Sequence, residues 1–146
     1  MLELEKRAYG PDSTQEEIEM LRSRVNIFDT NVICYQEVFV MSTFQIEVMT
    51  QKVNELIVPG EEYYMIINLS KAQRPNAEQR HKIKECFSKF TDAIIYTSIY
   101  TESNLLNNIA AKFILGSIGF SINSVHATRE KSLNSIKKEK EKRAKK

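Results

Sequence analysis

The fold is decided by one stretch, Tyr63–Leu69, which reads YYMIINL and is apolar at every position except Asn68. A continuous apolar run of this length is typical of a strand that is buried on both faces of a sheet. A second run, Asp92–Thr97, also favours a strand and follows after a segment long enough for a helix. Parallel neighbouring strands need crossover helices, which then cover the sheet. We therefore expect an α/β domain with these two runs side by side at its centre.

The remaining elements are predicted from apolar periodicity, capping residues and turn formers. Ser42 and Asn76 are competent N-caps, and each is followed three residues later by the glutamine of a capping box. In chain order we expect a hairpin of strands Leu21–Phe28 and Val32–Gln36, a helix Thr43–Ile57, the strand Tyr63–Leu69, a helix Ala77–Phe90, the strand Asp92–Thr97, a helix Leu105–Ile118, a strand Phe120–Val125 and a helix from Thr128 to Ile136. The predicted fold class is α/β, a single-layer mixed sheet of about five strands with helices packed on it, in the order ββαβαβαβα.

Composition divides the chain into three segments. Residues 1–20 contain the turn formers Gly10 to Ser13, lack apolar periodicity and are expected to form a loose N-terminal leader. Residues 21–136 are the expected domain. Residues 137–146 are a basic C-terminal tail with seven basic and two acidic side chains, in a chain whose net charge is +2. The body is therefore mildly acidic, which does not favour specific nucleic-acid binding, and we interpret the tail as a solvated helix extension, with an anchor for anionic membranes or nucleic acid as the alternative.

Other features argue against export and against metal or cofactor chemistry. No apolar run approaches the roughly 20 residues that cross a bilayer, so no transmembrane segment is expected, and Met1–Glu5 is acidic where a signal peptide is basic and then apolar. Cys34 and Cys86 have apolar neighbours and no second ligand at metal-binding spacing, so we expect buried thiols, no metal site and a cytoplasmic location. The four glycines are scattered, so no glycine-rich phosphate loop and no cofactor are expected.

The histidines do not suggest a catalytic set. His81 lies in a polar run that is predicted to face solvent, and His126 lies at the end of the last predicted strand. Cys86 is five residues from His81, which is not the spacing of a close pair on a helix. We expect no enzymatic activity and assign no catalytic residue. A hydrolytic enzyme is the less favoured alternative, and it requires one of these histidines to reach a nucleophile or a carboxylate within a single cleft.

The carboxyl ends of the two central strands supply the candidate binding surface. Ligands of open α/β sheets lie beyond these ends, where helix N-termini present unpaired N–H groups. The polar residues expected there are Ser70, Lys71, Arg74 and Asn76 after the first central strand, and Ser98, Tyr100, Thr101, Ser103 and Asn104 after the second. Such residues can hold an anion or the acidic loop of a protein partner, and helix capping and loop solubility are the alternative interpretation. A homodimer is left open.

This order of elements resembles the STAS domain, the fold of bacterial anti-sigma factor antagonists, and its SpoIIAA-like and Sec14-like relatives. The resemblance covers roughly residues 21–136. It depends on the strand that ends Ile66-Ile67-Asn68-Leu69-Ser70, which is similar to the family's hydrophobic strand ending Asp-Leu-Ser. It depends also on the segment Asp92–Phe113 followed by Phe120–Ile136, which looks like uncharacterised bacterial STAS-like proteins.

The resemblance implies a non-enzymatic regulatory or protein-interaction module with a protein partner. In partner-switching members a phosphorylatable serine follows an Asp at the start of the helix after the Asp-Leu-Ser strand. The same interval here reaches Asn76 and Ala77, so the switch serine is replaced, and Ser70 matches the structural serine at the end of the strand. The Sec14-like branch implies an alternative function, a carrier of a small molecule or lipid, with an apolar cavity between the helix Leu105–Ile118 and the sheet.

Overall fold

The computed structural model of the protein describes residues 8–37, 42–70, 75–102 and 123–145. The strands in these ranges are β1 (Val25–Phe28), β2 (Val32–Gln36), β3 (Tyr63–Asn68), β4 (Ile94–Tyr100) and β5 (Asn123–His126). The helices in these ranges are α1 (Gln15–Arg22), α2 (Thr43–Leu56), α3 (Ala77–Phe87) and α4 (Arg129–Ala144).

The strands form one mixed sheet in the order β1-β2-β3-β4-β5. β1 and β2 are an antiparallel hairpin, and each later strand pairs in parallel with the strand before it. The two apolar runs of the sequence are neighbours, because β3 pairs with β4 along its whole length, and β3 is buried from Tyr63 to Ile67. The predicted α/β class, the mixed sheet, the hairpin and the central pair of strands are therefore confirmed.

Helices cover both faces of the sheet. One face packs against α1, α2 and α3, where Met65 of β3 and Ile46 of α2 are both fully buried. The opposite face packs against α4, where Ile136 is buried with Tyr64 and Ile66. Burying a side chain of this size stabilises the fold by about 1.5–3 kcal/mol. Because α4 begins just after the carboxyl end of β5, its first turn stands at the edge of the sheet where a binding surface was predicted.

The predicted starts of α2 and α3 are confirmed. The Ser42 hydroxyl accepts a hydrogen bond from the Gln45 N–H, and the Asn76 side chain accepts one from the Gln79 N–H, so both helices begin with a complete capping box. α2 ends at Leu56, close to the predicted end. α3 ends at Phe87, before the predicted Phe90, because residues 88–93 form the turns that lead into β4.

The expectation of a loose leader is wrong for the part of it that the structure describes. Helix α1 begins at Gln15, and the first strand begins at Val25 instead of Leu21. Thr14 caps α1 through a capping box with Glu17. Tyr9 is only 2% exposed and belongs to the core. The turn formers therefore connect a buried tyrosine to a capped helix.

The final helix continues to Ala144, so the predicted end at Ile136 is wrong, whereas the interpretation of the basic segment as a helix extension is confirmed for the described residues. Contacts with the body of the protein explain the extension. The Arg143 guanidinium donates to the Ile95 carbonyl at 3.3 Å, and the Lys140 ammonium lies 3.3 Å from the Asp29 carboxylate. The basic segment is thus packed along one side against the sheet.

The second central strand lies further along the chain than predicted, at Ile94–Tyr100 instead of Asp92–Thr97. Ser98 and Tyr100 are consequently strand residues, because they pair with β3 on one side and with β5 on the other. β5 overlaps the predicted strand Phe120–Val125 from residue 123 onward. The predicted helix Leu105–Ile118 lies outside the described residues.

Candidate functional site

The last rung of the parallel sheet places four polar or aromatic side chains in a row. Gln36 pairs with Asn68, Asn68 with Tyr100, and Tyr100 with His126. Partners in a parallel sheet point to the same face, which here is the face that α4 covers. The row therefore lies at the carboxyl ends of β2, β3, β4 and β5, beside the first turn of α4.

A cleft of about 140 Å³ lies on this row, and Arg129, the first residue of α4, forms one wall of it. We call it the Arg129 cleft. Its lining consists of Asn26, Cys34, Tyr35, Gln36, Ile66, Asn68, Tyr100 and Arg129. Among the described residues, the lining supplies amide, thiol and phenol groups and one cation, and no carboxylate. The Arg129 cleft is therefore suited to a small anionic or polar group.

The Arg129 guanidinium lies near the side chains of Cys34 and Tyr100, and its positive charge favours the ionised form of both. Burial raises the pKa of the Cys34 thiol, and the nearby guanidinium offsets this only in part. Burial likewise raises the pKa of the Tyr100 phenol against the opposing effect of Arg129. Both groups are therefore protonated at neutral pH. The thiolate that nucleophilic chemistry at Cys34 would need is disfavoured.

The next rungs toward the middle of the sheet carry a cluster of five hydroxyl groups between β4, β5 and α4, which we call the hydroxyl cluster: Tyr96, Ser98, Ser124, Ser132 and Ser135. The Ser124 oxygen lies 2.8 Å from the Tyr96 oxygen, 3.1 Å from that of Ser135 and 3.4 Å from that of Ser98. Ser98 donates to Ser132 at 2.9 Å, and Tyr96 also hydrogen-bonds to Ser135. These bonds join α4 to both strands.

His126 adjoins the hydroxyl cluster, with its Nε2 atom 2.8 Å from the Ser124 oxygen. Burial lowers the pKa of His126, and the positive charge of Lys131 lowers it further. A serine beside a neutral imidazole is one requirement of nucleophilic catalysis. In the described ranges, however, no carboxylate hydrogen-bonds to the other ring nitrogen, and Ser124 is shared with neighbouring hydroxyls. The hydrogen-bonding pattern is that of a structural network.

Five of the predicted site residues are described, and they have different environments. Ser70 donates through its N–H and hydroxyl to the Asn68 side chain, at 2.9 and 2.5 Å, which forms a tight local turn. Asn76 caps α3. Ser98 belongs to the hydroxyl cluster and is fully buried. Thr101 is also buried, and its N–H donates to the His126 carbonyl at 3.2 Å.

Tyr100 is the one described member of the predicted set that lines the Arg129 cleft. The expectation that Ser98 lies beyond the end of the strand is wrong, because Ser98 lies inside β4, and the Thr101 side chain is not at the surface. Lys71, Arg74, Ser103 and Asn104 lie outside the described residues.

Arg129 and Gln36 were missed by sequence reasoning. Two signals could have identified them. The last helix is predicted to start at Thr128, and threonine favours the N-cap position, which places Arg129 in the first turn of a helix that begins at the binding edge. Gln36 was recognised as the end of a strand, but only the ends of the two central strands were considered. Asn68 was noted as the strand-end residue but was not assigned to the site.

Comparison with family models, with curated proteins and with solved structures found no match. In the part of the chain that the structure describes, no group of three or more histidine, cysteine, aspartate or glutamate side chains is placed to hold a metal ion. No helix within the same ranges combines the length and the apolar character needed to cross a membrane.

Proposed function

We propose that the protein is a non-enzymatic regulatory or protein-interaction module of STAS-like type, and that it binds an acidic side chain of a partner protein in the Arg129 cleft. The observation that carries this proposal is the position of Arg129 at the start of α4, inside a polar cleft at the carboxyl ends of the parallel strands. The resemblance of the sequence to STAS domains and the mixed α/β sheet are consistent with such a module.

The size of the Arg129 cleft favours one side chain over a small-molecule ligand. Sites for cofactors and metabolites have volumes of about 300–1,000 Å³, whereas this cleft measures about 140 Å³. A carboxylate fits such a volume, and a guanidinium can bind a carboxylate through two parallel hydrogen bonds. The protonated Cys34 and Tyr100 groups would add neutral donors beside it.

The electrostatics of the cleft also favour an anion. The first turn of a helix carries unpaired N–H groups and the positive end of the helix dipole. Arg129 adds a full positive charge at the same place. Since none of the described lining residues is a carboxylate, none of them neutralises this charge, which favours binding of an anionic group of a partner. A cytoplasmic location belongs to the same proposal, and the free thiols of Cys34 and Cys86 are compatible with it.

The carrier alternative depends on the predicted helix Leu105–Ile118, which lies outside the described residues, so it stays a prediction. The hydrolytic alternative depends on His126, which does reach the Ser124 hydroxyl. Among the described residues no carboxylate orients the imidazole, so we do not extend the proposal to catalysis.

The test is capture of a partner from native lysate by the full chain, followed by an affinity measurement with the purified partner. We expect Arg129→Gln to weaken binding by about tenfold or more, which corresponds to the loss of one charged hydrogen-bonded contact. Lys137→Gln is the matched control, because it removes the same charge from an exposed position of α4 outside the Arg129 cleft. Failure to recover a partner at physiological salt, or equal effects of the two substitutions, would overturn the proposal.

A further inference from the structure

A second, larger cavity runs along the side of α4 that faces the β5 edge of the sheet. Its volume is about 430 Å³, and we call it the α4 groove. Tyr96 and His126 contribute to it from the strands, and α4 contributes Lys131, Ser135, Lys138 and Lys142. The three lysines are separated by seven and four residues, which puts them on one face of a helix over about 16 Å.

The positive charge of the α4 groove is largely uncompensated. In the described ranges none of Lys131, Lys138 and Lys142 forms an ion pair. Glu139 is the one carboxylate among the described residues that line the groove, and its Oε1 atom lies 3.2 Å from the Nε atom of Arg143. The groove therefore presents more positive charge than its own residues neutralise.

Two other basic residues of α4, Lys140 and Arg143, differ from the three lysines of the groove because each forms an ion pair. Lys140 lies 3.3 Å from the Asp29 carboxylate and 5.3 Å from the centre of the Tyr64 ring. Arg143 contacts Glu139 and the Ile95 carbonyl. Lys140 and Arg143 thus hold the helix on the sheet, whereas Lys131, Lys138 and Lys142 line the groove.

The neutral polar side chains that line the groove are held in place by hydrogen bonds. Tyr96 and Ser135 belong to the hydroxyl cluster, and His126 is fixed by its 2.8 Å contact with Ser124. Phenol, hydroxyl and imidazole groups can all donate hydrogen bonds to anionic oxygens. A ligand would therefore meet both the lysines and oriented neutral donors.

From this arrangement we propose that the α4 groove is a binding site for a phosphorylated small molecule, with Lys131, Lys138 and Lys142 contacting the phosphate oxygens and Tyr96, Ser135 and His126 contacting the rest of the ligand. Its volume lies in the range of small-molecule sites, about 300–1,000 Å³. A nucleic acid is less suited to it, because Glu130 and Glu141 interrupt the exposed basic surface of α4 and polyanion binding needs an extended basic face.

The test uses inorganic pyrophosphate as the probe and the full chain, with binding followed by two-dimensional NMR. We expect saturable shifts at residues of the α4 groove. Lys138→Gln should weaken pyrophosphate binding by roughly tenfold, as expected for one charge-assisted contact. Lys137→Gln, at the adjacent exposed position that does not line the groove, should leave it unchanged. Both substitutions are at exposed positions, so the fold should be retained.

A second readout is the titration of the His126 imidazole, which faces the cation Lys131 and, across the groove, Glu139. A bound phosphate would favour the charged imidazole and move the titration to higher pH. Three results would overturn the proposal: no saturable shift in the groove, equal effects of Lys137→Gln and Lys138→Gln, or tighter binding of a single-stranded oligonucleotide than of pyrophosphate with equal dependence on both lysines. Arg129→Gln should not change pyrophosphate binding, which separates this proposal from the function proposed above.

Discussion

Burial of the His126 side chain and the positive charge of Lys131 both lower the pKa of its imidazole. Both favour the neutral imidazole and lower its pKa below the ordinary value of 6.5. In the unfolded chain the imidazole is exposed and binds its proton more readily. At pH values between the folded and unfolded pKa, the unfolded state therefore holds more protons, and stability rises with pH. The contribution of the neutral His126 imidazole to stability is complete above about pH 6.5. It is lost as the pH falls through the pKa of His126 in the folded state.

This behaviour predicts that His126→Gln reduces the dependence of stability on pH. As the pH falls below about 6.5, the wild-type chain should lose stability, and the variant should lose less of it. The measurement is the free energy of unfolding in urea at several pH values. His81→Gln replaces the other histidine, at an exposed position of α3, and controls for the change in histidine content. Equal slopes for His126→Gln and the wild type would show that His126 is not the group responsible.

Single residues also show what the sequence could not reveal about the site. Ser98 was expected to follow the second central strand because serine is common in loops and helix caps, but serine also occurs in strands, and local preference does not distinguish these positions. Its position is fixed by pairing with Ile66 of β3 and Ser124 of β5. Such pairings join residues distant in sequence, so the hydroxyl cluster and the Arg129 cleft could not be assembled from local patterns.

At the scale of elements, capping boxes were the most informative local signal. The boxes of Ser42 with Gln45 and Asn76 with Gln79 were predicted, and both are present. The same spacing in Thr14 and Glu17 starts α1. That helix was missed because it follows a cluster of turn formers and is only eight residues long. The start of a helix is encoded locally, whereas its end depends on the contacts it makes.

The contribution of a helix cap to stability can be tested at Ser42, because its hydroxyl makes two hydrogen bonds. It accepts the Gln45 N–H at 3.1 Å and donates to the Tyr9 carbonyl at 2.5 Å. We expect Ser42→Ala to reduce the free energy of unfolding by about 1–2 kcal/mol, since both bonds are lost. Ser42→Thr keeps the hydroxyl and should retain most of the stability. Urea denaturation of the three proteins measures the difference, and an unchanged midpoint for Ser42→Ala would contradict the proposed cap.

At the scale of the whole molecule, the sheet was predicted correctly from the sequence, whereas the N-terminal and C-terminal limits of the domain were not. Continuous apolar runs identify buried strands wherever they occur, so β3 and β4 were predicted to be neighbours, as they are. The ends of the chain carry few apolar residues, and their packing depends on isolated side chains. Tyr9 and Arg143 are two such residues, and neither belongs to a periodic pattern that would have indicated contact with the core.

These contacts predict that a chain shortened to residues 21–136, the domain expected from sequence, is much less stable than the full chain. It lacks Tyr9, all of α1 before Leu21 and the last two turns of α4. Removing a buried aromatic side chain alone costs about 3–5 kcal/mol, which is a large part of the 5–15 kcal/mol typical of a domain. We expect the shortened chain to unfold at lower urea concentration and with a broader transition.

Two full-length variants separate the contributions of the ends. Tyr9→Ala removes the N-terminal contribution to the core, and Arg143→Gln removes the contacts of α4 with Glu139 and the Ile95 carbonyl. The first should cause the larger loss, because the Tyr9 side chain is buried whereas the Arg143 ion pair is partly exposed and such pairs contribute about 0–1 kcal/mol. If the shortened chain instead unfolded at the same urea concentration as the full chain, the packing of both ends against the sheet would have no energetic weight, and the limits expected from sequence would describe the folding unit.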